Sequence, residues 1–588
     1  MPRNPTAVLA ALLARVSPPI EAASSVQPTT LRKLFDQVWE EELQADPLGA
    51  SYIGDTRFND RWTDMSINAL ELRHQHDIDT LARLRAISRE TLEPGEQLDY
   101  DLFAREYEQR LAVWPFKPYL YQINHQGGIQ TLSELAEVLP FQSVKDYEDW
   151  IKRLETLSTL IDQHITLLDL AGREKRTQPR AIMERLPLQL AMQIVATADK
   201  SPFYGPFEHM PTSISEAERV RLGAAGKDAI MHSVIPAYQR LNKAFTQQYL
   251  PATRTSVGII DTPQGAAFYR ERIAYHTTSR ALTADQIHQI GLDEVALIRS
   301  QMLAIKDQVD FKGSLTEFFT YLRTDPKFYY NTPEELFAGY QVIAKRIDPN
   351  LVRLFGNLPR TPYGVRAIPS TSAPNTTTAY YQPPATDGSR PGYYYVNLYR
   401  PAVRPKWEME VLSAHEAVPG HHLQIALAME QATMPDFRRN ASYTAYVEGW
   451  ALYSESLGEE LGLYQDPYSK FGQLTYDMWR AVRLVVDTGI HAKGWSRQQA
   501  VDYFKANAPK TDTDIANEID RYISWPGQAL AYKIGQLKIR SLRREAENAL
   551  GAKFDLRAFH DAVLTTGAVP LDVLEIHMRT WIKKRQDS

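Results

Sequence analysis

The chain has no cysteine among its 588 residues. Disulfides, thiolate zinc sites, cysteine-ligated iron–sulfur clusters and cysteine nucleophiles are all excluded. Any metal must be held mainly by His, Asp or Glu, a donor set compatible with zinc. A long apolar run is also lacking, and no stretch is long and apolar enough to cross a bilayer. Basic residues do not predominate: 66 Lys and Arg stand against 71 Asp and Glu, for a net charge of −5 and a pI of about 6.3. Nothing in that balance suggests a phosphate-binding surface, and nucleic acid is not an expected partner. There is no repeat of fixed period and no low-complexity tract.

What is present is the composition of a soluble globular protein, 44% hydrophobic and 23% charged. Length alone suggests roughly two to four units. At the N-terminus Arg3 precedes a short apolar run, Ala7 to Ala14, followed by Ala22-Ala23-Ser24-Ser25. That pattern resembles a signal peptide with a small-residue cleavage region, although Arg15 interrupts it. Residues 1–29 are therefore expected to be a leader. A periplasmic or exported location goes with it, with an amphipathic leader and a cytoplasmic location as the alternative.

Most of the remainder reads as helix. Leu31, Leu34, Phe35 and Val38 follow helical spacing, and similar patterns recur over 95–112, 145–172, 214–249, 284–309 and 334–348. Between about 357 and 400 the character changes. Seven prolines, from Pro359 to Pro391, punctuate short β-type runs at Tyr363 to Ile368, Thr376 to Gln382 and Tyr393 to Tyr399. The expected architecture is mainly α with a small sheet: an N-terminal helical region over 30–260, then a catalytic helical region over 261–588 that contains the sheet.

The chemistry concentrates in Ser413-Ala414-His415-Glu416-Ala417-Val418-Pro419-Gly420-His421-His422. A zincin helix carries H-E-x-x-H, two His four residues apart on one face with Glu as the base. Here proline occupies the position of the second His. On an unbroken helix His415 and His421 would point about 120° apart, and His415 and His422 would lie about 10 Å apart along the axis. Pro419 cannot continue a regular helix, and Gly420 permits the dihedrals a bulge needs. A bulge that returns His421 to His415 makes a metal site, with His422 as the fallback. The alternative is a helix–turn–helix whose histidines only cap and pack. A third ligand is expected from Glu448, a carboxylate in the apolar run Tyr446-Val447-Glu448-Gly449-Trp450-Ala451-Leu452-Tyr453. Glu455, two turns on, is placed to orient a ligand or simply to face solvent.

Supporting residues are sought on the segment Thr475 to Ala492. Arg480, Arg483, Asp487 and His491 fall within an arc of about 80° on an otherwise apolar helix. This suggests a polar cleft, with His491 as donor to an oxyanion and Arg480 or Arg483 as the holder of a substrate carboxylate. The alternative is an internal Arg483–Asp487 ion pair. Tyr532, after Pro526-Gly527, is a second oxyanion candidate. Tyr393 to Leu398, with Asn397 as a substrate-binding residue, is expected to be an edge strand that pairs with an extended peptide.

The motifs H-E-A-V-P-G-H-H-L-Q and E-G-W-A-L-Y resemble the bacterial domain of unknown function 885 family, a relative of the gluzincin metallopeptidases. Tyr275-His276-Thr277-Thr278, Gly392-Tyr393-Tyr394-Tyr395-Val396-Asn397-Leu398 and Pro526-Gly527-Gln528-Ala529-Leu530-Ala531-Tyr532 fit as well, and the resemblance spans roughly 30–585. It implies a large helical gluzincin-like fold with zinc on His415, His421 and Glu448 and with Glu416 as catalytic base. The function expected is a zinc-dependent metallopeptidase of short peptides. The alternatives are a zinc hydrolase of another amide or ester, and an inactive metal-containing binding protein.

Overall fold

A computed structural model of the chain describes residues 29–121, 123–370 and 373–587. The leader expected over 1–29 lies outside them except for Thr29, whose hydroxyl accepts the Arg32 N–H and caps the first helix, Thr30–Ala45. The protein is mainly α. Helices Pro94–Val113, Val144–Arg173, Ala284–Gln308 and Pro333–Ile347 fall on the periodic segments. Each begins where a side chain satisfies the free N–H groups of its first turn. Ser143 with Asp146 and Thr283 with Gln286 form reciprocal caps, and Thr332 caps the helix that opens with Pro333. Between Glu216 and Tyr249 the helix widens into π turns at Ile230–Val234 and Phe245–Tyr249. Pro236 and Pro251 stand just beyond these turns and lack the N–H that a carbonyl four residues back would use.

The sheet has three strands, β1 Tyr363–Ala367, β2 Ala379–Gln382 and β3 Gly392–Val396. Their order is β1-β3-β2, with β1 parallel and β2 antiparallel to β3. The run from Tyr393 is therefore not an edge, because β3 is paired on both sides and has no free main-chain groups for a peptide. Asn397 is likewise not a substrate contact. It is fully buried just past β3, where its Nδ2 donates to the carbonyls of Ala373 (2.8 Å) and Thr377 (3.0 Å). Its Oδ1 accepts the Tyr399 N–H at 3.0 Å. It staples the loop that leads into β2.

One continuous apolar cluster runs from Leu70 to Ile582. The helix Pro467–Ala492 is threaded through it, and every residue from Phe471 to His491 is buried. Helix Ala284–Gln308 approaches it closely at Gly291, where a β-carbon would press on Leu484 and Val485. Helix Thr444–Glu455 crosses helix Ala531–Leu550 at a glycine pair. A β-carbon on Gly535 would collide with the Ala445 carbonyl, and one on Gly449 with the Gly535 backbone. Among the described residues no helix is long and apolar enough to cross a membrane.

The polar stripe of the central helix splits in two. Arg480 and Arg483 reach a cavity, whereas Asp487 and His491 are buried structural groups further along. His491 accepts the Ile259 N–H on Nδ1 (3.1 Å) and bonds the Tyr522 carbonyl through Nε2 (2.9 Å). Both ring nitrogens are used, so His491 has no donor left for an oxyanion. Burial pushes its imidazole down to about 3. Asp487 does not pair with Arg483. It accepts from the Tyr269 hydroxyl (2.6 Å) and the Gly527 N–H (3.1 Å), and burial pushes its carboxyl up to about 7.

Two outcomes follow from this packing. Gly535→Val should cost about 1–3 kcal/mol in chemical denaturation, the usual cost of overpacking. Gly95→Ala, where nothing stands within 4 Å, should be neutral. The Asp487 carboxyl is held above its ordinary value, so folding favours its protonated form. That contribution is complete below about pH 4 and is lost as pH rises through about 7. Denaturation of wild type and Asp487→Asn across pH 4–8 should show the variant gaining on wild type as pH rises.

Candidate metal centre

The helix Met409–Glu416 ends immediately after the two residues on which the chemistry turns. Ala417, at φ −99° and ψ −108°, leaves the helical region, and a new helix begins at His421 and runs to Met429. The Val418–Pro419 peptide is cis. Gly420 is required here by space, because a β-carbon would overlap the carbonyls of Ala414 and His415. The break is pinned from outside. Trp450 Nε1 donates to the Pro419 carbonyl at 2.9 Å, and Ser454 Oγ donates to it at 3.3 Å. Both come from the helix Thr444–Glu455 that carries Glu448. The His415 and His421 rings thereby stand perpendicular, with centroids 4.8 Å apart.

Glu448 Oε2 lies 3.6 Å from His415 Nε2 and 3.4 Å from His421 Nε2. These separations are long for hydrogen bonds, and that oxygen is buried with no hydrogen-bond partner among the described residues. They match the edge of a tetrahedron around zinc, about 3.3–3.4 Å when each ligand stands ~2.0–2.1 Å from the ion. One donor atom from each of the three residues falls within 4.8 Å of the others. The donor set of two imidazoles and one carboxylate fits zinc and leaves a coordination position open.

The surroundings orient these donors. His415 Nδ1 bonds Glu455 Oε1 at 2.8 Å, which directs Nε2 toward Glu448. Glu455 is fully buried, and Arg480 Nη2 stands 3.4 Å from the same oxygen. Burial pushes the His415 imidazole down, but Glu448 and Glu455 outweigh it and bring it to about 9. Burial also works against ionised Glu448, yet the two histidines hold it well below the usual carboxylate range. His422 takes no part. Its Nδ1 bonds the Tyr381 hydroxyl (2.9 Å) and its Nε2 the Thr361 carbonyl (3.0 Å), so it ties the helix to the sheet. Burial pushes it down to about 4.

The centre opens on a cavity of about 530 Å³ whose wall includes His415, Glu416, His421, Glu448, Arg480, Arg483 and Tyr532. Glu416 is half-buried in that wall. Arg480 lies against the rings of Tyr476 and Trp479 and reaches Glu455, which makes it a support for the His415–Glu455 pair. The Tyr532 hydroxyl accepts from Arg521 Nη2 (2.9 Å) and Gln528 Nε2 (3.3 Å). Among the described residues its own proton has no acceptor and is free for a ligand. The edge strand facing the cavity is β2, with Thr376 to Tyr381 along the wall. Sequence reasoning missed Arg521 and Glu518, which lie on the ordinary-looking amphipathic helix Asp512–Ser524. It also missed Gln126 and Glu134, which reach the cavity from the N-terminal half. None of these carries a local signature. Only the long-range packing brings them to the site.

Comparison with known proteins places the chain in a family. Residues 47–578 match the model described as "Bacterial protein of unknown function (DUF885)", and the chain belongs to that family. A solved structure titled "putative lipoprotein" from Colwellia psychrerythraea is 31% identical and superposes with a TM-score of 0.89. The match covers 94% of this chain and 99% of that one. A second, titled "putative lipoprotein of unknown function" from Shewanella oneidensis, is 18% identical with a TM-score of 0.70, over 94% and 100% of the two chains. It shares the fold. No curated protein matches the chain.

If the three donors form one site, the purified protein should bind a single zinc ion per chain, measured by elemental analysis and competitive chelation. His421→Ala and Glu448→Ala should abolish it, and Glu455→Ala should weaken it about 10–100-fold. His422→Gln should retain it; loss of zinc there would reverse the assignment of His421.

Proposed function

We propose that the protein is a zinc-dependent hydrolase, a gluzincin-like metallopeptidase that cleaves short peptides. The observation that carries this reading is the Glu448 carboxylate oxygen, buried and unbonded, facing two imidazole nitrogens at 3.6 and 3.4 Å beside Glu416. His415, His421 and Glu448 would hold the ion. When bound, zinc supplies Lewis acidity to polarise a carbonyl and to make water a nucleophile near neutral pH.

The protein's own residues do the rest. Glu416 takes the proton of the attacking water as the water oxygen bonds to the carbonyl carbon. It passes that proton to the nitrogen as the carbon–nitrogen bond breaks. Tyr532 donates its unused proton to the carbonyl oxygen as negative charge develops there. Arg483 lies 4.1 Å over the Tyr532 ring and holds it against the cavity wall. The main chain of β2 offers hydrogen bonds to an extended peptide. A cavity of about 530 Å³ suits a short peptide and excludes a folded chain. The signal-like N-terminal pattern supports export. The lipoprotein description is that of the two related proteins.

Cleavage of a short-peptide library, read by mass spectrometry, tests the proposal. Glu416→Gln should keep its zinc and lose about 10²–10⁴ in kcat. Tyr532→Phe should lose about 10²–10³ with little change in KM. A Glu416→Gln protein that cleaves at the wild-type rate would overturn the mechanism.

A further inference from the structure

We propose that Arg483 and Arg521, braced by Glu518, form a binding site for a carboxylate of the substrate, so that the preferred peptides are those bearing a free carboxylate. This rests on the short-peptide reading above and narrows its substrate class.

The reasoning begins with charge. Glu518 is buried and receives two guanidiniums: Arg483 Nη2 at 3.1 Å on Oε2 and Arg521 Nη1 at 3.6 Å on Oε1. The Tyr522 hydroxyl donates to the same Oε2 at 2.8 Å and occupies it further. Two cations thus share one anion, and one positive charge is left uncompensated in a poorly solvated cluster, a costly arrangement unless a second anion arrives. Donors are also left over. Arg483 Nη1 and Arg521 Nε are buried with no hydrogen-bond partner among the described residues. Arg483, Glu518, Arg521 and Tyr532 all border the cavity that holds the metal triad. None of the other carboxylates in that wall, Glu134, Glu416 and Glu448, pairs with either guanidinium among the described residues.

Arg480 is not part of this site. Its charge is spent on Glu455, and its role is to position His415. The pair that remains offers planar forked donors, the geometry that suits a carboxylate. Such a carboxylate can be the C-terminus of the peptide or an Asp or Glu side chain within it.

The test uses the full chain carrying Glu416→Gln, so that binding is read without turnover. The probes are trialanine, trialanine amide and Ala-Glu-Ala amide. Trp479 and Trp525 in the cavity wall supply a fluorescence signal. Trialanine is expected to bind about tenfold or more tightly than its amide. Ala-Glu-Ala amide recovers that gain if the side chain is the source and not if the C-terminus is. Arg521→Gln, at a partly accessible position, should reduce the ratio of acid to amide affinity to near one while circular dichroism shows the fold retained. Equal affinity for acid and amide would overturn the proposal, as would an unchanged ratio in Arg521→Gln. Each titration is repeated after chelation. A preference that survives belongs to the arginines, and one that vanishes belongs to the metal and overturns the proposal. The chelated arm reads the arginine site even if the protein holds no zinc, so failure of the hydrolase reading remains distinguishable.

Discussion

The cluster of His415, His421 and Glu448 hangs from one carbonyl, that of Pro419. A helix that breaks in the interior leaves carbonyl groups without partners, each costing about 1–3 kcal/mol if nothing replaces them. Here Trp450 and Ser454 supply the replacement, and both belong to the helix that brings Glu448. The element that carries Glu448 therefore also satisfies the break that turns His421 toward His415. The two cannot drift independently. The Glu448 helix is set in turn by the Gly449–Gly535 crossing, where two backbones touch without side chains between them. Space at Gly420, Gly449 and Gly535 thus decides the position of three potential ligands.

Much of this was legible in the sequence, and the limits follow from where the information resides. Helix starts could be read because caps are local: Ser143, Thr283 and Thr332 act within three residues. The Pro-Gly break was legible because proline's missing N–H and glycine's missing β-carbon are properties of single residues. Strand order was not, since β3 becomes central only through pairing with segments on either side of it in the chain. Adjacent histidines likewise look alike in sequence. His421 and His422 separate only through what faces them, and the partners of His422 are Tyr381 and Thr361, 41 and 61 residues upstream.

The polar stripe on the central helix shows the same boundary from another side. Periodicity correctly groups Arg480, Arg483, Asp487 and His491 on one face. It says nothing of how far along the axis the cavity extends. On this helix the cavity lining stops at Arg483, so the far half of the stripe is filled by protein instead of solvent. Asp487 and His491 became structural for that reason, and the hydroxyl that does reach the cavity is that of Tyr532, from a different helix.

A helix buried all round should be apolar, yet this one carries five ionisable side chains from Asp477 to His491. Each answers a different neighbour. Asp477 accepts from Lys533 (2.6 Å) and Gln536 (3.1 Å), and Gln536 also donates to the Leu452 carbonyl of the Glu448 helix. Arg480 meets Glu455, Arg483 meets Glu518, Asp487 meets Tyr269 and Gly527, and His491 bridges Ile259 and Tyr522. Apolar contacts are nondirectional and would let the surrounding helices slide. Buried hydrogen bonds do not, because a slip of one turn leaves charged groups unpaired in a low-dielectric interior. The central helix therefore sets register for the elements around it, and Arg480 is where that register meets the chemistry. It holds Glu455, Glu455 holds the His415 ring with Nε2 turned inward, and Nε2 faces the open oxygen of Glu448.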